Sequence, residues 1–164
     1  MELIILAAVD EDGGIGKGGT MPWHEPEDLK NFARRTMYHH VVMGYNTWLS
    51  LDGKPLHHRT NLVLTSMPRR SGDAIVMHSL DDLFEYYKSS KLACLYVIGG
   101  AKVYEQLLPM VSTMYITRIK GDYGCDTHFP EIDMSEWDII NETKLSETAT
   151  EFTYVRIEKC QPTK

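Results

Sequence analysis

Residues 3–9, Leu-Ile-Ile-Leu-Ala-Ala-Val, form an unbroken apolar run, and this run constrains the fold more than any other feature. It is too short for a buried helix. With no polar alternation it reads as a strand covered on both faces, as parallel strands are. Similar runs follow at 41–43, 61–65, 74–77 and 95–98, and helix-like stretches lie among them at 27–36, 47–51, 80–88 and 103–108. Ser79 followed by Asp82 has the spacing of a capping box, with Asp in the acidic place. Strands alternating with helices predict a right-handed α/β architecture with helices on both faces of a largely parallel sheet. The last third differs: 114–119, 137–144 and 151–158 are strand-like with no intervening helix, and are expected to add antiparallel strands. The final two should form a hairpin across the polar stretch 145–150. The expectation is one three-layer α/β domain over residues 1–164, with a central mixed, mostly parallel eight-stranded sheet and an antiparallel C-terminal hairpin. Ligands of such sheets sit at the carboxyl ends of the strands, here the loops after residues 9, 43, 65 and 98.

Composition narrows the partners. Seventeen Lys and Arg against 23 Asp and Glu give a formal charge of −6, so the basic footprint that supplies affinity for a phosphate backbone is missing and no nucleic-acid partner is expected. No apolar run approaches the roughly 20 residues of a membrane span, and the N-terminal residues lack the basic flank and cleavage site of a signal peptide; a cytoplasmic protein without a membrane partner is expected. Cys94, Cys125 and Cys160 are scattered and odd in number, which predicts reduced structural thiols and neither disulfide nor zinc site.

Two glycine-rich segments invite ligand readings. Gly14-Ile15-Gly16-Lys17-Gly18-Gly19 has the G-x-G-x-x-G spacing of a dinucleotide fingerprint. Pro22 and Pro26 prevent the helix that the fingerprint requires, leaving a flexible loop able to close over a ligand or an ordinary surface loop. Ile98-Gly99-Gly100-Ala101-Lys102 ends an apolar strand and opens a helix at once. Its backbone amides suit a phosphate and its missing side chains let a flat ring approach, although a tight strand-to-helix turn explains it equally well. Asp28 is the most informative single residue. It lies in the first turn of a predicted helix, where the helix dipole favours acids, yet Phe32 and Thr36 follow on the same stripe beside Leu29 and Ala33. A carboxylate against apolar neighbours needs donors, and an amidine-like heterocycle edge supplies two in parallel.

These residues fall in ordered blocks: Ala8-Val9-Asp10, Gly14-Ile15-Gly16, Met21-Pro22-Trp23 with Pro26 and Asp28-Leu29, Val42-Met43-Gly44 with Thr47-Trp48, and Pro55-Leu56. They continue through Arg59-Thr60-Asn61, Val97-Ile98-Gly99-Gly100 with Val103-Tyr104-Glu105, Tyr115-Ile116-Thr117 and Asp126-Thr127-His128-Phe129-Pro130. Over nearly its whole length the chain resembles bacterial-type dihydrofolate reductase. That resemblance implies NADPH-dependent reduction of 7,8-dihydrofolate to 5,6,7,8-tetrahydrofolate, with hydride passing from nicotinamide C4 to pterin C6 and a proton reaching N5. It makes Asp28 the residue that accepts from the pterin N3 and 2-amino group, water the proton carrier, and Thr117 the hydroxyl supporting Asp28. Met21, Trp23 and Tyr104 complete the catalytic set around the nicotinamide.

The resemblance further implies substrate contacts at Ile5, Leu29, Phe32, Leu51, Leu56 and Ile98, with Arg59 clamping the glutamate tail; for the apolar members core packing is an equal account. It places the cofactor against Ala7, Ile15, Gly16, Gly44, Tyr45, Asn46 and Thr47, then Leu64, Thr65, Ser66 and His78. Ile98, Gly99, Gly100, Ala101, Lys102, Val103 and Tyr104, with Asp126 and Thr127, complete that set. The Gly99-Gly100 pair carries a cis peptide in the family. No metal is expected, the substrate cleft is expected to accept antifolate inhibitors, and a monomer is expected because no heptad or long apolar edge strand advertises a partner. Four positions depart from the pattern. Tyr45-Asn46 stands where many members hold a basic residue against the cofactor 2′-phosphate, shifting that task to Thr65, Ser66, Lys102 and Arg69 or Arg70. His57-His58 replaces Pro-Gly, Cys125 replaces a frequent glycine, and Glu25 replaces an apolar residue. Two other readings are a reductase of a flavin-pathway pyrimidine on the same fold and a non-catalytic nucleotide-binding module in which Asp28 is only a cap.

Overall fold

A computed structural model describes residues 1–68 and 71–158; Arg69, Arg70 and Cys160 lie outside them. The chain begins with β1 (Leu3–Val9), a short β2 (Gly14–Gly16), helix α1 (Pro26–Thr36), β3 (His40–Gly44) and helix α2 (Tyr45–Ser50). It continues through β4 (Thr60–Leu64), β5 (Ile75–Met77), α3 (Leu80–Ser89), β6 (Leu95–Val97) and α4 (Ala101–Leu107). The last third holds β7 (Thr113–Ile119), β8 (Thr127–His128), β9 (Trp137–Lys144) and β10 (Ala149–Arg156). Among the described residues one eight-stranded sheet has the order β5-β4-β3-β6-β1-β7-β10-β9. The eight expected apolar runs are its eight strands.

The strands pair in parallel from β5 to β7, and antiparallel where β10 meets β7 and β9. The expectation that all three late strands would be antiparallel additions therefore needs correction. β7 follows β6 through α4 and a 3-10 turn (Leu108–Met110) and pairs with β1 in parallel. A crossover through a helix returns the chain to the starting edge, which only a parallel strand can use. The hairpin β9–β10 forms as expected, with its loop shortened to 145–148.

Covering both faces of β1 explains its composition. Leu3 and Ile5 belong to one core cluster with Val97, Val103, Leu107 and Met114. Ile4 and Leu6 belong to a second, with Val41, Met43, Trp48 and Val63. Pro26 opens α1 with Glu27 and Asp28 in its first turn, where Pro costs no hydrogen bond and acids meet the positive helix end. Its fully buried residues are polar, Asn31 and Thr36; Phe32 is half-buried and Leu29 is 47% exposed. The apolar stripe read from the sequence is thus only part of its inner face. Ser79 caps α3 by accepting from the Asp82 amide at 3.1 Å, as the spacing predicted, while the Asp82 carboxylate accepts from the His78 amide at 3.1 Å, one residue before the cap, instead of from Ser79 itself.

The glycine-rich 14–19 segment is neither a dinucleotide loop nor structureless. Gly14–Gly16 pairs with Thr127–His128 as a small antiparallel sheet, and Lys17 and Thr20 close a turn through Gly18 and Gly19, both at positive φ. Glycine alone makes two successive positive φ values cheap.

Candidate active site

The carboxyl ends of β1, β3 and β6 converge on the Gly99-Gly100 turn. The Gly44 amide donates to the Gly99 carbonyl at 2.7 Å, knitting the end of β3 to the turn. The Gly99–Gly100 peptide is cis, and Gly99 has φ +119. A Cβ on Gly99 would lie 3.3 Å from the Tyr104 hydroxyl, one on Gly100 3.3 Å from Thr47 Oγ1, and one on Gly44 3.1 Å from Val103 Cγ2. Three glycines therefore let two strand ends and two helix starts pack with bare backbone. Neither Gly44 nor Gly100, the N-caps of α2 and α4, makes a side-chain cap, so no side chain of these caps competes for the first-turn amides. The Tyr104 hydroxyl donates to the Leu6 carbonyl of β1 at 2.7 Å, and its ring lies 4.9 Å from Phe129. Complete burial pushes the Tyr104 phenol far above its ordinary value, with the Asp28 charge acting in the same direction.

Asp28 faces this region from α1. Burial raises its carboxyl above the usual range; the Thr117 hydroxyl, hydrogen-bonded to it, opposes the rise, and the charges of Glu151 and Glu25 reinforce it. Thr117 is 2% exposed on β7, paired in register with Ala8 of β1 and Glu151 of β10. The pairing of Asp28 with Thr117 that the family resemblance implies is thus present. Beside them, Trp23 packs with Ile119 and Ala149, its ring 5.5 Å from Tyr123. The Trp23 Nε1–H is buried with no hydrogen-bond partner among the described residues. Such a donor costs about 1–3 kcal/mol unless something accepts from it.

An apolar wall lines the same side. Phe32, Leu51, Leu56 and Ile98 pack together against the second core cluster, each half-buried. Met21 and Leu29, 48% and 47% exposed, stand free of the core clusters. Arg59 closes the far end: its Nη1 donates to Thr36 Oγ1 at 3.1 Å and its Nε to the His57 carbonyl at 2.9 Å. Ile5, by contrast, is fully buried in the first core cluster, so from Ile5 the cleft can receive backbone alone. Ala7, Ile15 and Leu64 pack at the margin of that cluster.

The cofactor positions separate into two groups. Thr65, Ser66 and His78 gather where β4 and β5 end: the Thr65 amide donates to the Met77 carbonyl at 2.9 Å, and His78 Nδ1 lies 3.1 Å from the Thr65 carbonyl. Asn46, Lys102 and Ala101 lie at the starts of α2 and α4, next to Tyr45, Thr47 and Val103. Asp126 and Thr127 stand elsewhere. Asp126 accepts from the Gly18 amide at 2.9 Å and from the Thr127 hydroxyl at 3.0 Å. These backbone and hydroxyl donors hold its carboxyl below the ordinary value, so both residues tie the turn after β2 to β8. Among the described residues, no group of three or more His, Cys, Asp and Glu side chains forms a candidate metal centre.

Two carboxylates with no role assigned from the sequence prove to be organising residues. Asp10 is buried and accepts from the amides of Gly14 (2.7 Å), Asp12 and Tyr123 (both 3.0 Å), with the Cys125 thiol at 3.5 Å. Burial pushes its carboxyl up, but these donors outweigh it and hold it below the usual range. Glu25 accepts from Ser146 Oγ at 3.1 Å and from Thr148 Oγ1, binding the segment after Trp23 to the β9–β10 loop. Neither was detectable in the sequence, because Tyr123 and Cys125 for Asp10, and Ser146 and Thr148 for Glu25, lie more than a hundred residues away.

Comparison with known proteins agrees with this geometry. Residues 2–159 match the family described as Dihydrofolate reductase. Dihydrofolate reductase of Bacillus subtilis is 35% identical over 158 residues, covering 94% of this chain and 92% of that protein. That of Staphylococcus aureus is 36% identical over 153 residues, covering 92% of each. A structure of dihydrofolate reductase from Enterococcus faecalis, complexed with NADP(H) and RAB-propyl, superposes with a TM-score of 0.88 at 34% identity, covering 96% of this chain and 97% of that one. A carboxylate backed by a threonine, an unpaired indole donor and a bare glycine doublet thus occur in a chain that belongs to the dihydrofolate reductase family.

Proposed function

We propose that this protein reduces 7,8-dihydrofolate to 5,6,7,8-tetrahydrofolate with NADPH. The observation that carries the reading is the partly buried carboxylate of Asp28 close to the Thr117 hydroxyl, supported by the buried Trp23 Nε1–H from which no described residue accepts. This pairing offers one acceptor carboxylate and one donor, the complement of a pterin edge that presents paired donors and a carbonyl. NADPH supplies the hydride when bound. Gly44, Gly99 and Gly100 let the strand ends and helix starts pack closely around the turn, and the first-turn amides of α2 and α4, free of side-chain caps, fit a cofactor phosphate.

The chain's own residues then perform four tasks. Asp28 fixes the ring and favours a proton at N5; burial raises its own proton affinity. Thr117 holds the carboxylate in one orientation. Phe32, Leu51, Leu56 and Ile98 exclude water along one wall, while Met21 and Trp23 cover the other. Arg59 binds the glutamate tail at the far end. With no protein nucleophile, rate enhancement comes from aligning two rings in a water-poor cleft. Thr65, Ser66, His78 and Lys102 receive the cofactor's 2′-phosphate end, the first three gathered at the ends of β4 and β5.

No helix of the described residues is long and apolar enough to cross a membrane. With the charge of −6, this supports a cytoplasmic single-domain monomer acting on small molecules, open to antifolates at the pterin subsite. The test is to mix the protein with NADPH and dihydrofolate and follow loss of nicotinamide absorbance. Turnover is expected, and a folded protein that binds NADPH without turnover would instead be a nucleotide-binding module. Turnover on a flavin-pathway pyrimidine alone would assign it to the other reductase class.

A further inference from the structure

A second buried acid lies behind Asp28. Glu151, on β10, is 3% exposed and sits opposite Thr117 in the β7–β10 ladder. It is held by α1, the helix that carries Asp28. Asn31 Nδ2 donates to its Oε2 at 2.5 Å, and Arg35 donates through Nη2 to Oε1 at 2.5 Å and through Nε to Oε2 at 3.1 Å. The Arg35 guanidinium lies 3.6 Å from the centroid of the Tyr115 ring on β7. Asn31 and Arg35 follow Asp28 by three and seven residues, the spacing of one helix face. One carboxylate therefore bonds two residues on the helix face of Asp28 and borders the threonine that supports it.

We propose that Glu151 is a positioning residue for Asp28, fixing α1 against β7 and β10 and placing its carboxylate behind the one that reads the substrate. This rests on the assignment of Asp28 to the pterin. The groups facing Asp28 are the Thr117 hydroxyl on β7, Glu151 on β10, Glu25 before α1 and the Tyr104 phenol on α4. Glu27, in the same turn of α1, is exposed and pairs with Lys30 at 3.0 Å. Arg35, the cation of the cluster, is committed to Glu151 by a two-point contact. The Glu151 carboxylate acts to raise the proton affinity of Asp28, second to burial and moderated by its own pairing with Arg35. A buried ion pair adds little net stability compared with a neutral pair of similar shape, so electrostatic placement of Asp28 is the property that a neutral pair would not reproduce.

The test uses the full chain in two readouts: carboxyl carbon NMR titration of Asp28 without ligands, and the pH profile of kcat. Glu151→Gln is expected to lower both midpoints by about 0.5–1 pH unit, so that turnover above the midpoint falls roughly threefold to tenfold while the acid plateau stays. Glu151→Asp, which keeps the charge, is expected to restore the wild-type midpoints even with reduced stability. The double variant Arg35→Met, Glu151→Gln leaves no unpaired ion and should fold if the single one does not; it too should titrate below wild type. An Asp28 midpoint unchanged in Glu151→Gln or in the double variant would overturn the proposal and leave Glu151 a purely structural residue. If the NMR midpoint moves while Asp28→Asn leaves turnover intact, the positioning stands and the pterin assignment fails.

Discussion

Asp28, the acid proposed to read the substrate, is costly to the fold. Its carboxyl is raised mainly by burial, so the folded state holds the proton more tightly than the unfolded chain does. A raised folded pKa gives stability that is complete below the unfolded value of 3.8 and is lost as pH rises through the folded value. Asp28→Asn is therefore expected to unfold at higher urea concentration than wild type at pH 7, with the difference vanishing near pH 3. The same variant should lose at least about a hundredfold in turnover at pH 7, the scale of a positioned acid–base group, with partial recovery in acid as solution protonates the substrate. An Asn variant that is less stable at neutral pH would contradict the raised carboxyl, and one that keeps its turnover would contradict the catalytic role. Asp28 was legible in the sequence because an acid on a partly apolar helix stripe conflicts with simple capping. Glu151 was not: a charged residue in a strand reads as solvent-facing, and the Asn31 and Arg35 that neutralise it belong to a segment 120 and 116 residues earlier.

At the scale of elements, the site is made by the way strand ends and loops are tied together. Gly99, at φ +119 and 3.3 Å from the Tyr104 hydroxyl through any added Cβ, has no conformational or steric allowance for a side chain. Gly99→Ala is expected to destabilise the protein by about 1–3 kcal/mol, the cost of a sparsely populated backbone conformation, and to raise the KM for NADPH; urea unfolding and cofactor titration check both. Glu25 binds the segment after Trp23 to the β9–β10 loop through Ser146 and Thr148. Glu25→Leu removes both bonds from a carboxylate 9% exposed and should cost about 2 kcal/mol. Faster amide exchange at both 21–25 and 145–148 is expected, and exchange that changes in one segment alone would show that the two are not coupled. Most helices and strands were visible in advance, since continuous apolar runs and a capped, amphipathic helix are local signals. The three-residue β2 and two-residue β8 were not, being too short to display a period. The direction of β7 was missed because β6 and β7 become parallel only if the short α4 between them is read as a crossover.

For the whole molecule, the two core clusters lie on opposite faces of one sheet and share β1, β3, β4 and β6, so unfolding is expected in a single cooperative transition. Fluorescence and circular dichroism should give superimposable urea curves, with two separated transitions counting against one domain. A cofactor that binds only the folded chain stabilises it by mass action, about 2.7 kcal/mol at a hundred times its Kd. For a chain of this length that corresponds to a Tm rise of roughly 5–11 °C. NADPH is expected to produce that rise at lower concentration than NADH, and equal responses would remove the 2′-phosphate role from Thr65, Ser66, His78 and Lys102. The sequence by itself determined the eight strands of the main sheet, the helix positions and the family, because each is written in local periodicity or in blocks of fixed spacing. Only tertiary structure decided which way β7 runs, which amides and hydroxyls hold Asp10 and Glu25, and that Glu151 stands behind Asp28. Those depend on residues far apart in the chain, brought together once both faces of the sheet are covered.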